Sequence, residues 1–341
     1  MKPLSTNAFR PTAKHAEQRR RTVAALCAGA FAPLTSFAQQ PSKVWRIGYL
    51  SPATEASQVP RVAPFRAGLR ELGYVEGKNL IIEFRWADGK PERLPELAAE
   101  LVRLKVDLIV THGADGGTVA KQATGTIPIV VAVSGDFVAQ GLANSLAKPG
   151  MNVTGGSIFG PELAAKGLEL LKEAIPGLPR IAVLLPSSGP GTKTNMDAIT
   201  AAALRLKVEV LRFEAVDLKD IENAFAAMVK QRAGGLLVPS HAVLNFKAKT
   251  ITALALKHHL PSSGIVDFAE AGGMLGYGVS FPALYRHAAV SVDKIFKGTK
   301  PGDIPIEQPT TFEFVVNLKT AKALGIKVPG TILLQATRVI E

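Results

Sequence analysis

The residue types that do chemistry in enzymes occur in this sequence, but none stands in a recognisable catalytic or metal-binding spacing. There is no Gly-x-Ser-x-Gly turn and no Walker loop. The six histidines are isolated except for His258 and His259, which are adjacent, so no pair has the spacing of metal ligands. Gly113, Gly116 and Gly117 lack the dinucleotide spacing and are better explained by a tight strand-to-helix turn. We therefore expect no catalytic residues, no metal site and no cofactor.

Small polar residues follow the apolar runs of the sequence, where a binding site would form. In an open parallel sheet, ligands sit beyond the carboxyl ends of the strands. Hydroxyls and free N–H groups there suit a carboxylate, and Asp136 or Asp267 could face an ammonium. Each residue taken alone could instead cap a helix, but the set as a whole favours binding. The candidates are Ser51, Thr111, His112, Ser134, Gly135, Asp136, Ser187, Ser188, Ser240 and Asp267.

The elements that would position these residues alternate between strand and helix. This order predicts the α/β class, with parallel sheets covered by helices on both faces. The pattern restarts near residue 180, which predicts two similar lobes instead of one sheet. The first set has strands at 44–50, 80–86, 107–111 and 127–133, with helices at 61–72, 92–104 and 116–122. The second set has strands at 180–186, 208–213, 234–239 and 263–266, with helices at 193–205, 218–230, 244–258 and 283–296.

Three stretches rich in glycine or proline predict the connections between the lobes. They are residues 148–156, 272–278 and 301–309, the first of which has the composition of a hinge. We expect residues 44–156 and 277–305 to form lobe 1. Lobe 2 would then contain residues 157–276 and 306–341.

The N-terminal residues 1–38 have the three zones of an export signal. A polar segment ends in Arg19-Arg20-Arg21, an apolar stretch covers residues 23–34, and Ser36-Phe37-Ala38 offers small residues to a signal peptidase. A buried first helix is the alternative, but Gly29 and Pro33 would interrupt it. The arginines fit twin-arginine export as well as general secretion, so the route stays open. Either route predicts a periplasmic protein.

Charge and cysteine content exclude further classes of function. The formal net charge is +12, of which residues 1–38 carry +5, leaving +7 for the rest of the chain. The remaining basic residues are scattered and no run is interleaved with aromatic residues, so nucleic-acid binding has little support. Cys27, inside the export signal, is the only cysteine. The chain after the signal therefore has no disulfide, and its core must hold it together.

Several sequence runs resemble the ABC-transporter substrate-binding proteins typified by the tryptophan-binding TrpX-like family. The similarity covers essentially the whole chain after the signal. The runs are Phe65-Arg66-Ala67-Gly68-Leu69 and residues 72–79, 83–88, 93–98, 146–155, 272–278 and 314–325.

The resemblance implies a periplasmic binding protein of the first type: two Rossmann-like lobes, three crossovers and a ligand in the cleft between them. It implies a small organic ligand, such as an aromatic or branched-chain amino acid or a related carboxylate, and delivery to an ABC permease in the inner membrane without catalysis. We expect a monomer. The resemblance adds Asn195 and Tyr277 to the candidate ligand positions. A sensory module that hands its closed lobes to a receptor, and an exported enzyme on the same architecture, are the rival hypotheses.

Overall fold

The computed structural model of the protein describes residues 43–187 and 191–341. The predicted export signal and Ser188 lie outside these residues. Twelve strands and twelve α-helices are present in the described part. In the first half they are β1 (Trp45–Ser51), α1 (Glu55–Glu71), β2 (Leu80–Trp86), α2 (Leu94–Arg103), β3 (Leu108–Thr111), α3 (Gly113–Ala123), β4 (Ile129–Ser134), β5 (Val153–Ser157) and α4 (Gly160–Ala174).

The second half of the chain continues the alternation and ends with shorter elements. They are β6 (Arg180–Leu185), α5 (Thr192–Leu206), β7 (Glu209–Glu214), α6 (Leu218–Lys230), β8 (Leu236–Leu237), α7 (Ala242–Phe246), α8 (Ala248–Lys257), β9 (Ser262–Gly264), α9 (Val266–Glu270), β10 (Leu275–Gly278), α10 (Phe281–Phe296), β11 (Glu313–Asn317), α11 (Leu318–Ala323), α12 (Gly330–Gln335) and β12 (Arg338–Ile340).

The strands form two sheets, which we take as the two lobes of an α/β fold. The sheet of lobe 1 is parallel in the order β2-β1-β3-β4-β5. The sheet of lobe 2 has the order β12-β11-β10-β9-β8-β6-β7 and is parallel except where β10 meets β11. Strands β3 and β4 are buried along their whole length, as expected for strands covered by helices on both faces.

The predicted hinge glycines lie largely inside a strand. Gly155 and Gly156 belong to β5, which pairs with β4. Gly155 has a φ of +152°, and a Cβ there would lie 1.9 Å from the carbonyl oxygen of Val131. These glycines therefore permit the close approach of β4 and β5. The chain crosses from lobe 1 to lobe 2 just after β5, at Ile158 and Phe159.

The second and third crossings also differ slightly from the prediction. Residues 275–278 form β10 in the sheet of lobe 2, so the chain returns to lobe 1 only between Gly278 and Phe281. The third crossing follows Glu307, whose backbone exchanges hydrogen bonds with Gly155 and Ser157 of β5. Between the second and third crossings, helix α10 packs against α1 of lobe 1.

Helix α1 places side chains of lobe 1 at the cleft. Thr54 begins it, because the Thr54 hydroxyl accepts a hydrogen bond from the backbone N–H of Ser57. Its buried face includes Arg61 and Phe65, one helical turn apart. Gly68 allows α10 to approach, since a Cβ at Gly68 would lie 2.7 Å from the carbonyl oxygen of Arg286. Among the described residues, no helix has the length and hydropathy needed to cross a membrane.

Candidate ligand-binding cleft

A cavity of about 520 Å³ lies between the lobes at the carboxyl ends of their strands. This is the edge at which open α/β sheets bind ligands, and the volume is in the range of small-molecule sites. Lobe 1 contributes the loops after β3 and β4, and lobe 2 contributes the loop after β8 and the starts of α4 and α5. A register shift between Val131 and Ser134 ends the regular pairing of β4 just before the cavity.

Three helices of normal length begin at the cavity. They are α3, α4 and α5, and their N-cap residues His112, Phe159 and Gly191 make no side-chain capping hydrogen bond. The first backbone N–H groups of a helix have no partner within the helix. Together with the helix dipole, these groups create a favourable position for a carboxylate or another anion.

Three residues of the cavity wall have a buried polar atom without a hydrogen-bond partner among the described residues. The atoms are Asn195 Oδ1, on the first turn of α5, His241 Nδ1, just before α7, and the hydroxyl oxygen of Tyr285. Asn195 as a whole is 7% exposed. Burial lowers the pKa of His241, while Asp115 acts in the opposite direction. Buried polar groups are normally hydrogen-bonded, so several unpartnered atoms at one cavity indicate a site completed by a ligand.

Three carboxylates, Asp115, Asp136 and Glu162, also line the cavity. Asp136 Oδ1 accepts hydrogen bonds from the backbone N–H groups of Val138 and Ala139, at 2.9 and 3.0 Å. Asp115 and Glu162 lie in the first turns of α3 and α4. The cavity therefore combines groups that favour an anion with groups that favour a cation.

Aromatic side chains from both lobes form much of the apolar wall. Phe281 and Tyr285 come from α10 of lobe 1, whereas Phe159 and Phe246 come from lobe 2. His112 meets the edge of Phe246, with ring centroids 5.2 Å apart. Burial, with a smaller contribution from Arg61, lowers the pKa of His112 to about 3. The imidazole of His112 is therefore neutral at physiological pH and behaves as part of the aromatic wall.

The sequence pattern did not single out Arg61, nor the cavity carboxylates Asp115 and Glu162. Arg61 Nη2 donates to Asp267 Oδ2 at 2.8 Å, and its guanidinium lies over the rings of Phe246 and Phe281. Burial raises the pKa of Asp267, and Arg61 opposes this shift. One signal in the sequence could have identified Arg61: it lies four residues before the apolar Phe65 and therefore on the same, buried face of α1. The predicted helix begins only at residue 61, however, whereas α1 begins at Glu55.

Half of the predicted ligand residues line the cavity: His112, Ser134, Gly135, Asp136, Asn195 and Ser240. Ser51 and Thr111 do not, because their side chains are buried within lobe 1, where the Ser51 hydroxyl accepts a hydrogen bond from the backbone N–H of Ala53. Asp267 is also off the cavity wall, and its carboxylate faces Arg61 instead of the predicted ligand ammonium. Ser187 is exposed, and its carbonyl oxygen accepts from Arg212. Tyr277 lies in β10 and stacks on Phe312.

Among residues 43–187 and 191–341, no group of three His, Cys, Asp or Glu side chains is arranged to hold a metal ion. The hydroxyl of Ser240, next to His241 in sequence, accepts a hydrogen bond from Asn245 Nδ2 at 3.3 Å.

Comparison with known proteins gives the family. The profile of the ABC transporter substrate binding protein family matches residues 52–340. A tyrosine-binding protein of Clostridioides difficile (strain R20291) is 27% identical over 264 residues, which is 77% of this chain and 76% of that protein.

Solved structures of similar fold agree with this assignment. An ABC domain from Streptococcus pneumonia in complex with L-Trp is 26% identical, with a TM-score of 0.78 over 86% of this chain and 100% of that chain. A conserved domain protein from Vibrio cholerae is 25% identical, with a TM-score of 0.79 over 87% and 100% of the two chains. The resemblance and the α/β fold predicted from sequence are both confirmed. This chain belongs to the ABC transporter substrate-binding protein family, whose members bind small solutes.

Proposed function

We propose that this protein is the periplasmic solute-binding component of an ABC importer, and that it holds an aromatic amino acid in the interlobe cavity. The observation that carries the proposal is the unpartnered, buried Oδ1 of Asn195 in a cavity that also presents uncapped helix N-termini and carboxylates. A zwitterion needs both kinds of partner at once, because a charged group is stable in a closed site only when it is paired.

The charged ends of the ligand would bind at different parts of the wall. The ligand carboxylate would accept hydrogen bonds from backbone N–H groups at the start of α3 or α5. The ammonium would donate to Asn195 Oδ1 and approach Asp115 or Glu162. Ser134, Gly135, Asp136 and Ser240 remain proposed contacts, together with the neutral ring of His112.

The aromatic wall supports a ligand with a ring. Phe159, Phe246, Phe281 and Tyr285 offer apolar and π surface, and burying such surface is the main source of affinity for aromatic groups. Two relatives agree with this choice, since one is a tyrosine-binding protein and another was solved in complex with L-Trp.

The proposed location and partner follow from the family and from the N-terminal sequence. Residues 1–38 have the zones of an export signal, and binding proteins of this family serve ABC transporters. We propose that a monomer delivers the solute to a permease in the inner membrane. A sensory role uses the same closure, and loss of solute uptake on deletion of the gene would support transport over sensing.

Thermal unfolding with a ligand series tests the proposed ligand. L-tyrosine or L-tryptophan should stabilise the protein, by about 2.7 kcal/mol at a concentration one hundred times Kd. Tyramine, which lacks the carboxylate, and 3-(4-hydroxyphenyl)propanoate, which lacks the ammonium, should stabilise it far less. Stabilisation by a sugar such as galactose, with no response to any amino acid, would contradict the proposal.

A further inference from the structure

The ion pair between Arg61 and Asp267 joins the two lobes. Arg61 lies on α1 of lobe 1 and Asp267 on α9 of lobe 2, 206 residues later, with 2.8 Å between Nη2 and Oδ2. The side chain of Arg61 is 8% exposed and that of Asp267 is 29% exposed. Of the ion pairs between described residues, the others join groups within one lobe, except that of His287 with Glu307 at the third crossing.

Aromatic rings from both lobes enclose the guanidinium of Arg61. Its Cζ lies 5.1 Å from the ring centroid of Phe281, in lobe 1, and 5.2 Å from that of Phe246, in lobe 2. Cation–π contacts are stronger when water is excluded, and so are hydrogen bonds between charged groups. Separation of the lobes would break the contacts of Arg61 with Phe246 and Asp267 together.

Other contacts across the cleft show that the lobes are closed on one another. A Cβ on Gly113 of lobe 1 would lie 3.4 Å from the Cβ of Ala242 in lobe 2. At another point of the cleft, a Cβ on Gly89 would lie 3.9 Å from Nζ of Lys247. Burial lowers the pKa of Lys247, and Asp217 opposes this shift. The Arg61–Asp267 pair is therefore part of a closed interface.

We propose that Arg61 and Asp267 form a latch that closes the cleft in the absence of ligand and slows release of a bound solute. This inference rests on the proposed function only for the identity of the solute. Both latch residues belong to the protein, so the latch acts whether or not the cavity is occupied. When only the closed form holds the ligand tightly, the apparent Kd rises in inverse proportion to the closed fraction.

Helix α1 supplies a matched control for the latch. Arg66 lies five residues after Arg61, pairs with Glu76 at 2.7 Å and has its Cζ 5.0 Å from the ring centroid of Phe84. All of these groups belong to lobe 1, and the two ionic side chains are 41% and 39% exposed. Glu76→Gln thus removes a similar ion pair without affecting any contact between the lobes.

Interlobe distances measured by pulsed electron paramagnetic resonance test the latch without any ligand. The full chain would carry Cys27→Ser, and spin labels would be attached at Glu92→Cys and Lys219→Cys. Both positions are exposed and lie on opposite lobes, beside the Gly89–Lys247 contact and Asp217 respectively. The ligand-free protein should populate the closed distance, and Asp267→Asn should lower the closed-to-open ratio by at least about tenfold. Glu76→Gln should leave the ratio unchanged.

A second variant keeps the test decisive if Asp267→Asn unfolds. Arg61→Met should lower the ratio to a similar extent, and the double variant should lower it no further than the larger single effect. A ligand-free protein without a closed population, or a ratio unchanged in both variants, would overturn the latch. Neither result depends on which solute binds. A failed amino-acid titration would contradict the proposed function and leave the latch intact.

Discussion

Arg61 and Arg66 are two arginines of one helix with similar partners and different surroundings. Each forms an ion pair with a carboxylate and lies over an aromatic ring. The side chain of Arg61 is 8% exposed and its partner is in the other lobe, whereas that of Arg66 is 41% exposed and its partner is in the same lobe. Because of solvent screening and side-chain entropy, exposed ion pairs contribute almost nothing to the free energy of unfolding. Loss of one partner of a buried pair, in contrast, lowers this free energy substantially. Burial and position therefore decide what each arginine does.

The largest expected effect is a difference in stability between variants of the two arginines. Arg61→Ala should lower the free energy of unfolding by about 3 kcal/mol, because it leaves Asp267 unpaired and creates a gap between Phe246 and Phe281. Arg66→Ala should cost about 1 kcal/mol or less. Urea unfolding of both variants measures the difference, and equal losses would show that burial of Arg61 has no energetic consequence.

A second prediction concerns the cavity, which Arg61 lines and Arg66 does not. Asn195→Ala should weaken binding of the aromatic amino acid by about ten- to one-hundredfold, because it removes the acceptor proposed for the ammonium. Arg66→Ala should leave Kd unchanged. Isothermal titration calorimetry measures both values. Wild-type affinity in Asn195→Ala would show that the ammonium binds at another part of the cavity.

The third prediction uses the titration of His112 near Arg61. Burial holds the pKa of His112 at about 3, below its ordinary value of 6.5. The unfolded chain therefore takes up this proton more readily, and stability falls as the pH drops below 6.5. His112 should account for about 1.5 kcal/mol of lost stability between pH 6.5 and pH 5. Urea unfolding at both pH values should show a smaller loss in His112→Gln, and an equal loss would argue that the ring is accessible to protons.

The smallest expected effect is that of Glu76→Gln. Removal of this exposed pair should change the free energy of unfolding by about 0.5 kcal/mol, and high salt should reduce the difference further. Thermal unfolding at low and high salt measures both quantities. A loss as large as that of Arg61→Ala would remove the contrast between the two arginines.

The sequence predicted the α/β class and most of the longer elements. The predicted helix at 218–230 matches α6, because its apolar spacing is regular and Asp217 caps it. The sequence predicts glycine-rich connections where strands β5 and β10 lie, because their glycines serve close backbone contacts that no periodicity reveals. The short strands β11 and β12 were also missed, since they are specified by pairing with distant residues.

The candidate site was predictable only as far as strand ends could be located. Ser134 and Ser240 reach the cavity because they precede loops at the carboxyl edge of the sheets. The first strand is predicted to end at Leu50, but β1 includes Ser51, and a shift of one residue in a strand turns the side chain to the opposite face. The strand end at Thr111 matches the prediction, yet its side chain is buried within lobe 1. Arg61 was missed because its partner is 206 residues away, and that pairing exists only after both lobes have folded.

Mass spectrometry of the solute that copurifies with the protein identifies its ligand directly. The wild-type protein, purified without denaturant, should release an aromatic amino acid. The Asn195→Ala variant, purified in parallel, should release much less of it. Release of a neutral sugar, or equal amounts of amino acid from both proteins, would show that the cavity does not hold an aromatic amino acid through Asn195.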